Sequence, residues 1–344
     1  MIFFECVRKD LYLLNPNYKI LTVELTVTSI DNHIPSFSEA VSIPQAPPEF
    51  KSGFIGIIGR PNVGKSTLMN QLVGQKIAIT SPVAQTTRNR LRGIVTTSDA
   101  QLIFVDTPGI HKPHHQLGEV LVQNAKIAID SVDLVLFVVD GTVACGAGDR
   151  FIAELLLDSP TPVILGVNKI DQQPENPESM DASYQQLAAT HQWPMVKFSA
   201  MTGAELPQLQ TLLIEHLDHG PLYYPPDLVT DQPERFIMGE LIREQILLLT
   251  REEVPHSVAI AIDKVEETPS ITRVMATIHV ERDSQKGILI GKGGSMLKAI
   301  GSSAREQIQK LISGKVYLEL FVKVQPKWRH SRVRLAELGY RVEE

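Results

Sequence analysis

Gly59-Arg60-Pro61-Asn62-Val63-Gly64-Lys65-Ser66-Thr67 is the stretch on which the reading of this chain turns. Its spacing is G-x-x-x-x-G-K-[ST], after the apolar run 54–58 and before a segment of helical spacing, 66–73. Glycines there let backbone N–H groups curl around an anion, and the following helix aims its positive dipole end at the same point. Lys65 is placed to reach the β- and γ-phosphates of a nucleotide, and the Ser66 hydroxyl to take Mg²⁺. Arg60, Pro61, Asn62, Val63 and Thr67 complete the expected cradle.

The partners of such a loop follow in order. Asp106-Thr107-Pro108-Gly109 ends the apolar run 102–105. A carboxylate at a strand's C-terminal end points into the ligand crevice of a parallel sheet, so Asp106 is expected to hold Mg²⁺ through water. Gly109 is expected to offer an N–H to the γ-phosphate. Asn168-Lys169-Ile170-Asp171 ends the run 163–167. The Asp171 carboxylate matches the two donors of guanine, which adenine lacks, and this favours GTP over ATP. Ser199-Ala200-Met201 would close over the base. Thr86 and Thr87 lie between the first two of these strands. A threonine there can join Mg²⁺ when a γ-phosphate is present, and Thr87 is preferred. Lys65, Thr87 and Gly109 are the expected catalytic positions, all by charge stabilisation.

Apolar runs at 54–58, 102–105, 134–139, 163–167 and 195–198 alternate with helical spacing at 66–73, 119–129, 149–157, 184–189 and 206–217. That alternation predicts a mainly parallel sheet with helices on both faces. Pro221, Pro225 and Pro226 mark a linker. Beyond it a helix (234–250), two strands (258–265, 273–280), a helix (295–311) and a strand (315–324) predict a small α+β domain. The expected division is a 1–50 N-terminal extension, poorly ordered apart from a possible strand at 20–30; a 51–220 nucleotide domain; a 221–233 linker; a 234–330 second domain; and a 331–344 tail. With 344 residues, two domains are the ordinary expectation. The only cysteines, Cys6 and Cys145, exclude a disulfide framework and a thiolate zinc site, which suits a reducing cytosol. No apolar run reaches membrane-spanning length.

Net charge is −6, which alone argues against nucleic acid. The average hides a basic stretch: 286–334 carries eleven Lys and Arg against Glu306 and Glu319. It contains Ile290-Gly291-Lys292-Gly293-Gly294 ahead of a helix. A G-x-x-G turn of this kind lets a nucleic-acid backbone approach closely, with Lys292 supplying charge. Lys298, Lys323, Lys327 and Trp328 are further candidate RNA contacts, although for Trp328 a cover of the core is the favoured reading over a stacking platform.

The ordered motifs resemble the translation-factor-related P-loop GTPases, and Gly59–Thr67, Ala84–Arg88 and Asp106–Gly109 resemble the bacterial Era family in particular. Gly291–Gly294, Arg235…Glu240…Arg243-Glu244 and Val322–Val324…Trp328 resemble its type II KH domain. The resemblance covers about 53–344. It implies an α/β P-loop GTPase domain followed by a KH domain, turning GTP into GDP and phosphate with Mg²⁺. It implies binding to the 3′ end of small-subunit ribosomal RNA, a role in small-subunit assembly, a cytoplasmic monomer and partial peripheral membrane association. Where related enzymes place a water-orienting glutamine, this chain has Ile110. With that substitution the resemblance implies slow intrinsic hydrolysis, and it implies, from similar enzymes, that Asn62 is a candidate K⁺ ligand near the β- and γ-phosphates. Other readings are a related GTPase acting on another RNA, an RNA scaffold with negligible turnover, and an ATP-dependent enzyme on the same loop.

Overall fold

The computed structural model describes residues 6–12, 19–25, 46–80, 91–107, 109–110, 127, 129–251, 254–255, 257–312, 314–330 and 333–334. Two compact units result, 1–44 and 45–344. The first holds a hairpin: β1 (Cys6–Tyr12) runs antiparallel to β2 (Lys19–Leu25), with Cys6 opposite Leu25. The sequence reading expected a strand near the second of these only.

In the second unit a six-stranded sheet has the order β4-β5-β3-β6-β7-β8. The strands are β3 (Lys51–Ile58), β4 (Leu91–Thr96), β5 (Ala100–Asp106), β6 (Leu134–Asp140), β7 (Val163–Asn168) and β8 (Met195–Lys197). All neighbours are parallel except β4 and β5. Residues of β5 and β7 are buried along their whole length, as strands covered on both faces must be. Among the described residues the flanking helices include α1 (Lys65–Val73), α2 (Ala147–Leu157), α3 (Glu178–His191) and α4 (Leu206–Glu215); the helix expected over 119–129 lies almost wholly outside those residues. One core cluster includes Ile55, Leu102 and Phe104, and the other includes Ile58, Phe137, Ile152 and Leu156. After β3 the chain builds one side of the sheet, then crosses to the other at β6. Such a reversal opens a crevice at the strand's C-terminal end, and the phosphate loop starts there.

A second sheet has the order β11-β10-β9, from β9 (Ala259–Glu267), β10 (Thr272–Val280) and β11 (Val316–Val324). β9 is antiparallel and β11 parallel to β10. Its helices are α5 (Glu234–Leu249), α6 (Asp283–Ile290) and α7 (Ser295–Ile312). On α7, buried Ile300, Ala304 and Ile308 recur every fourth position, one stripe facing the sheet. The expected order here lacked α6. It also lacked β4, and both absences are corrected by the structure.

The linker is strapped to the edge strand β4. Ile94 N donates to Val229 O at 2.9 Å, Thr230 Oγ1 to Arg92 O at 2.6 Å, and Arg92 pairs with Asp231 at 2.6 Å. Buried Gln101 holds its start, accepting from the Tyr223 and Tyr224 amides at 2.8 and 3.0 Å.

Candidate nucleotide and RNA sites

The loop between β3 and α1 closes on itself. Lys65 Nζ donates to Gly59 O at 3.1 Å and Arg60 O at 3.0 Å. Burial pulls this ammonium down to about 8, and the nearby Asp106 carboxylate only partly restores it. Arg60 is turned outward onto α2, where Nε meets Asp149 Oδ1 at 2.6 Å. Asp149 is fully buried, and its other oxygen accepts Gly146 N at 3.0 Å, closing the start of α2. Gly59 and Gly64 are required by space. A Cβ on Gly59 would lie 2.3 Å from Val138 O, and one on Gly64, at φ 100°, 2.3 Å from Asn168 Nδ2.

Asp106 ends β5 fully buried, and its Oδ2 accepts Ser66 Oγ at 2.9 Å. Two hard oxygen donors thus sit together at the mouth of the loop, a donor set that suits Mg²⁺. Thr107 Oγ1 donates to Ile57 O at 2.8 Å, which fixes the turn after β5. Gly109 lies directly over the loop, where a Cβ would come within 2.7 Å of Pro61 N. Ile110 N donates to Gly59 O at 3.1 Å, while its side chain is buried with Ile58, Ile129 and Phe137. Thr86, Thr87 and Pro108 fall outside the described residues.

The base side is organised by Asn168. Its Nδ2 donates to Val63 O at 2.8 Å, and its Oδ1 accepts Ala200 N at 2.9 Å. One side chain therefore ties the phosphate loop to the two loops expected around the purine. Lys169, at φ 68°, pairs with Asp140 at 2.6 Å. Burial pushes the Asp140 carboxyl up, but Lys169 and the Thr142 donors outweigh it and hold the group below its ordinary range. Asp171 Oδ1 accepts Ser199 Oγ at 2.6 Å, and Ser199 Oγ in turn accepts Thr202 N at 3.0 Å. The expected residues from the ends of β3, β5, β7 and β8 meet in one crevice. Asp140 and Asp149 were missed. Each is a lone acid, 29 and 89 residues from its cation, so no local spacing marks it.

The G-x-x-G turn joins α6 to α7. Gly293 and Gly294 have φ of 60° and 80°, and a Cβ on either would meet nothing within 4 Å, so their backbone is open to an approaching chain. A groove of about 470 Å³ runs from Gly294 between α7 and β11, lined by Lys298, Gly301, Arg305, Tyr317 and Leu320 among others. Arg305, Gly301 and Tyr317 were not foreseen. Lys323 does not line this groove. It is exposed and alternates with Val322 and Val324, which pack on the core. Nor does Lys327 line it. Trp328 takes the core role and not the stacking one. It is 2% exposed, its Nε1 donates to Ser257 O at 3.2 Å, and it offers no open ring face for stacking.

Two family descriptions match the chain: "50S ribosome-binding GTPase" over residues 54–169 and "KH domain" over 253–329. A relative named "GTPase Era" from Nostoc sp. is 87% identical over 324 residues, covering 94% of this chain and 100% of the relative. The chain belongs to the Era family of GTPases. An Era from Rippkaea orientalis is 72% identical, covering 88% of this chain and 96% of its own. A solved structure of Era "in complex with MgGDPNP and nucleotides 1506-1542 of 16S ribosomal RNA" is 37% identical with a TM-score of 0.79. It covers 85% of this chain and 100% of that one. An Aquifex aeolicus Era variant bound to GDP.AlF4⁻ matches with the same identity, score and coverage. Era membership makes this protein a GTPase, and its fold is the P-loop GTPase fold followed by a KH domain. Among the described residues, no helix is long and apolar enough to cross a membrane.

Proposed function

We propose that this protein hydrolyses GTP with Mg²⁺ bound by Ser66 and Asp106, and that its nucleotide state governs how the KH domain holds the 3′ end of small-subunit ribosomal RNA during subunit assembly. The observation that carries the reading is Asn168, whose two bonds unite the phosphate loop with the loop of Ala200. Lys65 supplies the positive charge at the β- and γ-phosphates, and the amides of 59–66 stabilise charge on the phosphoryl oxygens. Bound Mg²⁺ would neutralise charge on those same oxygens. Ile110 is withdrawn into the core, so water must be oriented by backbone groups or by another ligand of the γ-phosphate. Asn62, at φ 65° in the loop, is our candidate for K⁺, and equal hydrolysis rates in K⁺ and Na⁺ would remove it.

On the RNA side, Gly291–Gly294 open the backbone with Lys292 supplying charge at the turn, while Lys298 and Arg305 provide charge along the groove. The proposed domains are 51–220 and 234–330. A solved Era relative holding both MgGDPNP and a 16S fragment supports the pairing of ligands. Family resemblance alone supports a cytoplasmic monomer with some peripheral membrane attachment, which sedimentation and vesicle flotation check. Crosslinking to cellular RNA with GTP or GDP bound, mapped by sequencing, tests partner and switching together. Crosslinks absent from the small-subunit 3′ end overturn the RNA assignment.

A further inference from the structure

Glu244 lies on α5, in the KH part of the chain, and is only 1% exposed. A buried carboxylate must find partners; besides Gln245, whose Nε2 donates to Oε2 at 3.2 Å, those of Glu244 are far away in sequence. Oε2 accepts Lys76 Nζ at 2.5 Å, and Oε1 accepts Thr80 N at 2.8 Å and Thr80 Oγ1 at 3.3 Å. Lys76 and Thr80 belong to the stretch leaving α1. Asn70 fixes that stretch to α1: its Oδ1 accepts Ile77 N and Ala78 N at 3.0 and 2.8 Å, and its Nδ2 donates to Ala78 O at 2.7 Å. Because α1 starts at Lys65 and Ser66, a continuous line of contacts runs from the phosphate loop to Glu244. A second observation is independent of it. A small cavity is lined by Ile77, Ala78 and Asp106 on one side and by Phe236 and Glu240 of α5 on the other. The wall beside the Mg²⁺ carboxylate is therefore built partly by the KH part of the chain.

We propose that Glu244 is a positioning residue of the GTPase site, and that its bonds to Lys76 and Thr80 are the contact through which exchange of GTP for GDP is felt by α5. This rests on the reading above that nucleotide state governs RNA binding, and it names the side chain that carries the control. A buried, charge-assisted contact is either made or broken, so it serves as a two-state element and not a graded spring. Whatever displaces Lys76–Thr80 biases α5. By reciprocity, RNA on the KH side must change nucleotide affinity by the same factor.

The test uses the full chain and a single-stranded oligoribonucleotide carrying the 3′-terminal sequence of 16S rRNA. Its affinity is measured by fluorescence anisotropy with a GTP analogue and with GDP, and the ratio of the two Kd values is the coupling factor. Glu244→Gln keeps the side chain's shape and deletes the charge opposite Lys76. The wild-type ratio is expected to depart from one by at least about fivefold. In Glu244→Gln it is expected to fall to within about twofold of one, with RNA affinity in the GDP state unchanged. Lys76→Met should do the same and Lys76→Arg should keep the wild-type ratio, whereas loss of mere packing would not follow the charge. A wild-type ratio of one overturns the underlying reading of nucleotide control. A wild-type ratio that survives in both Glu244→Gln and Lys76→Met overturns the role of Glu244. If Glu244→Gln fails to fold, the half-exposed Lys76 variants decide the matter.

Discussion

Lys65 carries its charge at a cost before any nucleotide arrives, since burial has already drawn its ammonium down to about 8. A triphosphate adds negative charge and must raise that value again. The bound form is then the better proton binder, so GTP affinity is full below the free value and declines as pH rises through 8. Titration calorimetry in buffers of different ionisation heat should detect proton uptake near pH 8 and almost none at pH 6. Asp171 sets the other end of the ligand. Asp171→Asn replaces a charged acceptor by an amide, which should weaken GTP by roughly 10- to 150-fold, from about 1.5–3 kcal/mol for hydrogen bonds to a charged group. Competition with xanthosine triphosphate should move the other way. At this scale the sequence was informative where a residue's role depends on near neighbours: the loop of 59–67 and the 168–171 motif. It was silent on Asp140, Asp149 and Glu244, whose cation partners lie 29, 89 and 168 residues off.

Elements were legible where burial leaves an unbroken apolar run or a clear alternation. β5 and β7, enclosed on both faces, are unbroken apolar runs in the sequence. β4 was missed because Leu91-Arg92-Gly93-Ile94-Val95-Thr96 is neither a run nor an alternation, as an edge strand covered by another segment need not be. α6 was missed because it is eight residues long, with Gly287 inside it and the G-x-x-G turn immediately after. Around α7 the open groove leads to a salt prediction. Binding of single-stranded RNA should weaken linearly on a log–log plot, and Arg305→Ala should lower the slope by about 0.7, the loss of one phosphate contact. Trp328 belongs to the core of the same part. Trp328→Ala should cost about 3–5 kcal/mol in denaturant unfolding, while the folded fraction binds RNA as before. An unchanged stability with impaired RNA binding would restore the stacking role.

At the scale of the molecule, the division into a nucleotide part and an RNA part was legible from the change of rhythm near Pro221–Pro226. The junction was not. A proline-rich connector reads as a free tether, yet this one is bonded to β4 at Ile94 and Arg92. Composition reports which segments cannot continue a helix, and it says nothing of what they lie against. The strap has a consequence for the behaviour of the protein in solution. A sheet whose outermost strand exposes its N–H and C=O groups is a template for pairing with another copy. Here the Ile94 amide and the Arg92 carbonyl, two of the groups that would recruit a neighbour, are already taken by Val229 and Thr230. Thr230→Ala combined with Asp231→Ala should loosen the strap and uncover that border. Light scattering on warming should then rise well below the unfolding transition, as concentration-dependent self-association, whereas wild type stays clear until it unfolds. The connector that couples the two halves is also the guard that keeps the nucleotide sheet from growing beyond its own chain.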